Sequence, residues 1–299
     1  MDSLRHIVLL GAGAVGVLPA EKLLKLPGIT LTAAADKERV QRYRQDGIFF
    51  NGEKLPLTFI SPADDFPEAD LIIAATKTTS LTRALEVITP FSGRHTVFLP
   101  FLNGITAAEV IKNSFPENEV AEGFFVGHAS VRDGNRITHD GCGTFCIGGN
   151  IPHLRNIETL LKNAGINVDI PEDMAHAVWK KFVLNIGINQ TQAVFNADYG
   201  TVQKSESMLD FCKELMLEAL AVAEAENIRG TETMLKYAMD IILSMPGNVK
   251  TSMLQDIQNN RVTEVDAFAG TICTKAAEYG IPVPRNKEVL SVIKGKKLS

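Results

Sequence analysis

The first sixteen residues constrain this chain most. His6-Ile-Val-Leu-Leu10 is a short continuous apolar run, the pattern of a parallel strand buried on both faces. It enters Gly11-Ala12-Gly13-Ala14-Val15-Gly16 directly, and a helix-compatible segment follows to Leu26. A glycine triplet alone says little. Strand, triplet and helix in succession describe the tight turn on which a dinucleotide's pyrophosphate meets a helix N-terminus, so all six residues of the turn are candidate cofactor contacts. The bland alternative is a purely structural glycine turn. Pro19 is expected within the first helical turn, where amide donors are not yet committed.

A second strand, Ile29–Ala35, ends at Asp36, 20 residues after Gly16. A dinucleotide fold places there the group that reads the adenosine ribose. A carboxylate accepts hydrogen bonds from both ribose hydroxyls and repels a 2′-phosphate, which favours NADH. Lys37 and Arg39 follow closely, and either neutralises a phosphate, so NADPH stays open. Ile48–Leu55 reads as a hairpin turning at Asn51-Gly52. Ala69–Ala75 and Thr96–Leu102 are two more buried strands, ending in Thr76-Lys77-Thr78 and Asn103-Gly104. Ligands of open parallel sheets bind beyond the carboxyl ends of strands. Lys77 and Asn103 are therefore candidates for the nicotinamide end of the cofactor and for substrate, or else simple caps of strand-to-helix turns.

Residues 120–148 turn strand-like, a helix is expected near 152–164 and a short strand near 166–170. Pro171-Glu-Asp-Met reads as a helix start with proline and acids in its first turn. Helices are then expected at about 172–195, 201–228, 231–245, 251–259 and 263–279, with a helical tail from about 286. The fold class is an α/β Rossmann-type dinucleotide-binding domain over residues 1–170, followed by an all-α domain over 171–299. With 45% hydrophobic and 22% charged residues, two cores are within reach.

The second informative stretch is Trp179–Gln190, where Lys181, Asn185 and Asn189 recur every four residues in an otherwise apolar segment. On a helix this spacing stacks the three side chains along one face. The stripe is either a narrow solvent-facing edge or the lining of a cleft that offers one proton donor and two carboxamides to a polar ligand. Pro246-Gly-Asn248 is a turn running into a helix with Ser252 near its start. Thr263 is expected to cap the next helix, with Glu264 in its first turn as a dipole partner or a site residue. The apolar stripe Val265, Phe268, Ile272, Ala276 runs beside it.

A net charge of −5 without a basic block argues against nucleic acid as a partner. No apolar run approaches a membrane span, and the N-terminus enters a strand too early for a signal peptide, so a cytoplasmic protein is expected. Cys142, Cys146, Cys212 and Cys273 form no Cys-x-x-Cys pair, and His139, Cys142 and Cys146 match no common zinc spacing, so no metal site is assigned. Cys212 lies on the stripe Leu209, Cys212, Met216, Leu220 and reads as a core residue. The helical half offers surface for a homodimer, although nothing in the spacing requires one.

Taken together, Gly11-x-Gly13-x-x-Gly16, Thr76-Lys77, Asn103-Gly104, Trp179-x-Lys181-x-x-x-Asn185-x-x-x-Asn189 and Ser252-Met-Leu-Gln-Asp256…Thr263-Glu264 resemble the ketopantoate reductases over nearly the whole length. The lysine and double-asparagine helix with the serine and glutamate segment carries most of the specificity. The resemblance implies reduction of 2-dehydropantoate to (R)-pantoate with NADPH or NADH. In it, Lys181 is the general acid and Glu264 a catalytic, substrate-organising carboxylate. Asn185, Asn189 and Ser252 hold the substrate, and Lys77 and Asn103 line the nicotinamide end. Beside the resemblance, Asn248 in the turn before Ser252 is a further candidate substrate contact. Two residues depart from the family pattern: Asp36 stands where most members carry an arginine, and Leu102 where a glutamine is common. A different small-molecule 2-oxo acid on the same scaffold, or a nicotinamide-binding sensor without turnover, are the rival readings.

Overall fold

A computed structural model describes residues 4–127 and 130–295. The expectations for residues 1–3, for residues 128 and 129 of the strand-like stretch and for the last four residues of the tail lie outside the described residues. The chain divides into two compact units, Met1–Asn103 with Ala107–Met174, and Gly104–Thr106 with Ala175–Ser299.

The first unit is a six-stranded parallel sheet with helices. It begins β1 (His6–Leu10), α1 (Ala14–Leu23), β2 (Thr30–Ala34) and α2 (Lys37–Asp46). The hairpin β3 (Phe49–Phe50) and β4 (Glu53–Lys54) follows, then β5 (Thr58–Ile60), β6 (Leu71–Ala74), α3 (Leu81–Ile88), β7 (Val97–Pro100), α4 (Ala107–Ser114) and β8 (Glu119–Val120). The sheet order is β5-β2-β1-β6-β7-β8, the doubly wound order whose direction reverses between β1 and β6. Ile7, Val8 and Leu9 are fully buried, because helices cover both sheet faces and leave a central strand no polar side. Asn51 and Gly52 take φ of +48° and +90° in a two-residue turn pairing Phe50 with Glu53, the primed turn that suits a right-twisted hairpin.

The remaining strands of this unit are β9 (Glu122–Val126), β10 (Ser130–Asp133), β11 (Arg136–His139), β12 (Thr144–Gly148) and, after α5 (Leu154–Asn163), β13 (Val168–Asp169). They form two small sheets, β10-β11-β3-β4 and β13-β12-β9. Phe125 and Phe145 stack at 4.1 Å between centroids across the paired strands β9 and β12.

The second unit is helical throughout: α6 (Met174–Phe195), α7 (Tyr199–Gln203), α8 (Glu206–Ala225), α9 (Thr231–Ser244), α10 (Ser252–Gln258), a π turn at Asp266–Gly270, α11 (Thr271–Tyr279) and α12 (Pro284–Gly295). Its core gathers Phe182, Val183, Ile186, Cys212, Met216, Phe268 and Ile272. Burial raises the Cys212 thiol to about 12, which fits the inert core role expected of it.

Several local expectations are corrected. Pro19 is the sixth residue of α1 and lies inside it, where its missing N–H costs the helix a hydrogen bond. Pro171–Asp173 precede α6, whose first turn holds no acid. The helix expected over 201–228 breaks at Lys204-Ser205, where Ser205 caps α8 by accepting from Met208 N at 3.4 Å. Residues 261–264 are not helical, so Thr263 caps nothing and Glu264 precedes the next helix. Its carbonyl accepts from Ala267 N at 2.9 Å, and Gly270 N reaches Val265 O at 3.0 Å to close the π turn.

Candidate active site

In the first unit, candidate cofactor contacts gather at the carboxyl ends of the strands. Gly11 ends β1 at φ +106°, and a Cβ on it would lie 2.7 Å from the Ala75 carbonyl at the end of β6. A Cβ on Gly16 would lie 2.2 Å from Gly11 O. Any side chain at either position therefore destroys the turn. This close packing brings the start of α1 against the sheet at the point where strand order reverses, and it fits a backbone cradle for a pyrophosphate. Gly13 caps α1 without a side-chain bond, and no acid stands in the first turn.

Asp36 follows β2 and caps α2: its Oδ1 accepts from Arg39 N at 2.9 Å, and Arg39 Nε lies 3.5 Å from Oδ2. The carboxylate thus has a local structural role besides any contact with ribose. At the ends of β6 and β7, Thr78 Oγ1 donates to Asn103 O at 3.0 Å, which joins the loop of Lys77 to that of Asn103. Lys77 O accepts from Ser80 N at 3.0 Å, so its backbone caps a short turn while its side chain is exposed.

In the second unit, α6 carries Lys181, Asn185 and Asn189 in line. Lys181 and Asn185 are half-buried and Asn189 is buried. Asn189 Nδ2 donates to Asn185 Oδ1 at 3.1 Å, and Ser252 Oγ donates to Asn189 Oδ1 at 3.3 Å. This relay directs the serine at the start of α10 toward Asn189 and leaves Asn185 Nδ2 without an acceptor among the described residues. The relay supplies polar donors without titratable charge. Asn248 is exposed in the turn before α10, and that turn is pinned by Gly200 N to Gly247 O at 2.7 Å.

The structural roles of three supporting residues were not legible in the sequence. Gln192, one turn beyond Asn189 and fully buried, accepts from Thr251 N at 2.9 Å and so fixes the residue that precedes Ser252. Asp256, buried within α10, pairs with Arg261 at 3.2 Å, and Arg261 N donates to Asp256 O at 2.8 Å. That closure holds the non-helical segment leading to Glu264, which is itself buried.

The model of the family described as ketopantoate reductase PanE/ApbA matches residues 7–150, and its C-terminal counterpart matches residues 173–297. A 2-dehydropantoate 2-reductase of Streptococcus pyogenes is 27% identical over 97% of both chains. Among solved structures, a PanE/ApbA family ketopantoate reductase from Ralstonia eutropha JMP134 superposes with a TM-score of 0.86 at 25% identity, covering 97% of both chains. A D-mandelate dehydrogenase solved with NADH and anilino(oxo)acetate superposes with a TM-score of 0.88 at 22% identity, covering 98% of both chains, and shares the fold.

Proposed function

The chain belongs to the ketopantoate reductase family, and we propose that it reduces 2-dehydropantoate to (R)-pantoate with a reduced nicotinamide dinucleotide. The family is one of NAD(P)H-dependent oxidoreductases acting on 2-oxo acids, and the observation that supports the finer reading is the relay of Asn185, Asn189 and Ser252, with Lys181 one helical turn before Asn185 on the same face of α6. The dinucleotide, when bound, supplies a hydride to the ketone carbon of the substrate.

Gly11–Gly16 hold the pyrophosphate through backbone amides, Asp36 meets the adenosine ribose, and Lys77 and Asn103 serve the nicotinamide end. Lys181 holds an ammonium proton against the ketone oxygen. As the carbon–oxygen π bond opens, charge develops on that oxygen, and the ammonium stabilises it before giving up the proton. Asn185, Asn189, Asn248 and Ser252 bind the carboxylate and hydroxyl of the substrate as neutral donors that do not titrate. Glu264 organises the substrate and the lysine as a buried carboxylate.

The Asp36 carboxylate supports NADH, whereas the arginine most of the family carries there supports NADPH. Leu102 supports a second reading, reduction of another branched or hydroxylated 2-oxo acid. It stands where a glutamine is common, is buried in an apolar cluster with Leu10, Phe98 and Ala107, and offers no hydrogen bond. Loss of reduced-nicotinamide absorbance with 2-dehydropantoate, compared with a panel of 2-oxo acids, tests both readings. Turnover highest with 2-dehydropantoate is expected; turnover with another 2-oxo acid alone transfers the assignment to it, and none with any sinks the reductase reading.

A further inference from the structure

The hairpin β10–β11 packs against α1 and carries an arginine to the glycine turn. A Cβ built on Gly13 would lie 3.6 Å from Nη1 of Arg132. Arg132 Nε donates to Gly134 O at 2.9 Å within its own hairpin. That bond fixes the guanidinium plane and leaves both terminal nitrogens without an acceptor among the described residues. The side chain is half-buried, so its position over the turn is set by packing of the hairpin.

The start of α1 has the same sign of potential. Its N-cap is a glycine without a side-chain bond, and no acid stands in its first turn, so the positive end of the helix is uncompensated within the helix itself. A guanidinium brought to such an end repels it. An anion between the two reverses the sign, since both then present N–H donors to one group.

We propose that Arg132 is a pyrophosphate-binding residue, its terminal nitrogens pairing with the phosphate oxygens of the dinucleotide on the Gly11–Gly16 turn. The inference rests on the dinucleotide reading given above and extends it to a hairpin distant in sequence from the glycine turn. The forked guanidinium matches phosphate geometry in a way an ammonium does not.

Calorimetric titration of the wild-type protein, Arg132→Ala and Arg132→Lys with NADH, NADPH, ADP-ribose and adenosine tests it, with thermal unfolding run on each variant to establish the fold. Arg132→Ala is expected to weaken NADH, NADPH and ADP-ribose by about ten- to a hundredfold while adenosine changes by less than about twofold. Arg132→Lys is expected to recover part of the loss. ADP-ribose affinity unchanged in a folded Arg132→Ala overturns the inference, as does an equal loss for adenosine, which marks a packing role. A wild-type protein that binds neither dinucleotide overturns the functional reading itself, and the inference with it.

Discussion

Asn189 donates its amide proton to the Asn185 side-chain oxygen at 3.1 Å, one helical turn apart on α6. Asn189 is 6% exposed, so it acts from behind Asn185, setting which face of that carboxamide is turned outward. Asn189→Ala removes the bond and leaves Asn185 and Ser252 free to reorient. The KM for the 2-oxo acid is expected to rise by about tenfold, the equivalent of one lost hydrogen bond, with dinucleotide affinity unchanged. Steady-state kinetics with a parallel cofactor titration check this. A variant with wild-type KM contradicts the relay.

Gln192 and Thr251 give a second test in the same unit. Gln192→Leu leaves the buried Thr251 N–H without its acceptor, which costs about 1–3 kcal/mol in urea unfolding. Because Thr251 adjoins Ser252, the variant is also expected to raise KM more than it lowers kcat. Stability equal to wild type would show that α10 does not depend on Gln192.

Asp36 combines two roles that substitution can separate. Asp36→Asn keeps a side chain able to cap α2 but removes the charge that repels a 2′-phosphate. Asp36→Arg removes the cap, costing about 1 kcal/mol, and adds a phosphate partner. The preference for NADPH over NADH is expected to rise in the order wild type, Asn, Arg, with the Arg variant shifted by about tenfold or more. Ratios of kcat/KM for the two cofactors measure it; equal ratios in all three proteins would remove Asp36 from the ribose site.

Glu122, on β9, has its carboxyl pKa raised by burial. A carboxyl raised on folding favours the folded state while protonated, and this contribution is lost as pH rises through the folded-state pKa. Glu122→Gln removes that dependence. Its Tm relative to wild type is therefore expected to be higher at pH 8 than at pH 4, and a difference independent of pH would contradict the burial effect.

β1, β2, β6 and β7 were legible because each is a run of apolar or β-branched residues ended by a turn. β5 was not: Thr58–Ile60 is too short to show a pattern between Pro56 and Pro62, and only pairing with β2 makes it a strand. The stripe of Lys181, Asn185 and Asn189 was visible because helix spacing is local. The relay to Ser252 and the anchor from Gln192 to Thr251 were not, since those partners lie 63 and 59 residues apart. Pro19 and Glu264 were misplaced for a related reason. Local rules put proline and acid in first turns, whereas tertiary packing tolerates Pro19 within α1, and the Asp256–Arg261 closure keeps the segment before Glu264 out of the helix.

The most direct test compares wild type with Lys181→Ala in single-turnover reduction of 2-dehydropantoate, with NADH and NADPH binding measured on both proteins. A general acid contributes about 10²–10⁴-fold, so the expected result is a collapse of the hydride-transfer rate by orders of magnitude with cofactor affinity retained. A Lys181→Ala protein that turns over at the wild-type rate would contradict the account.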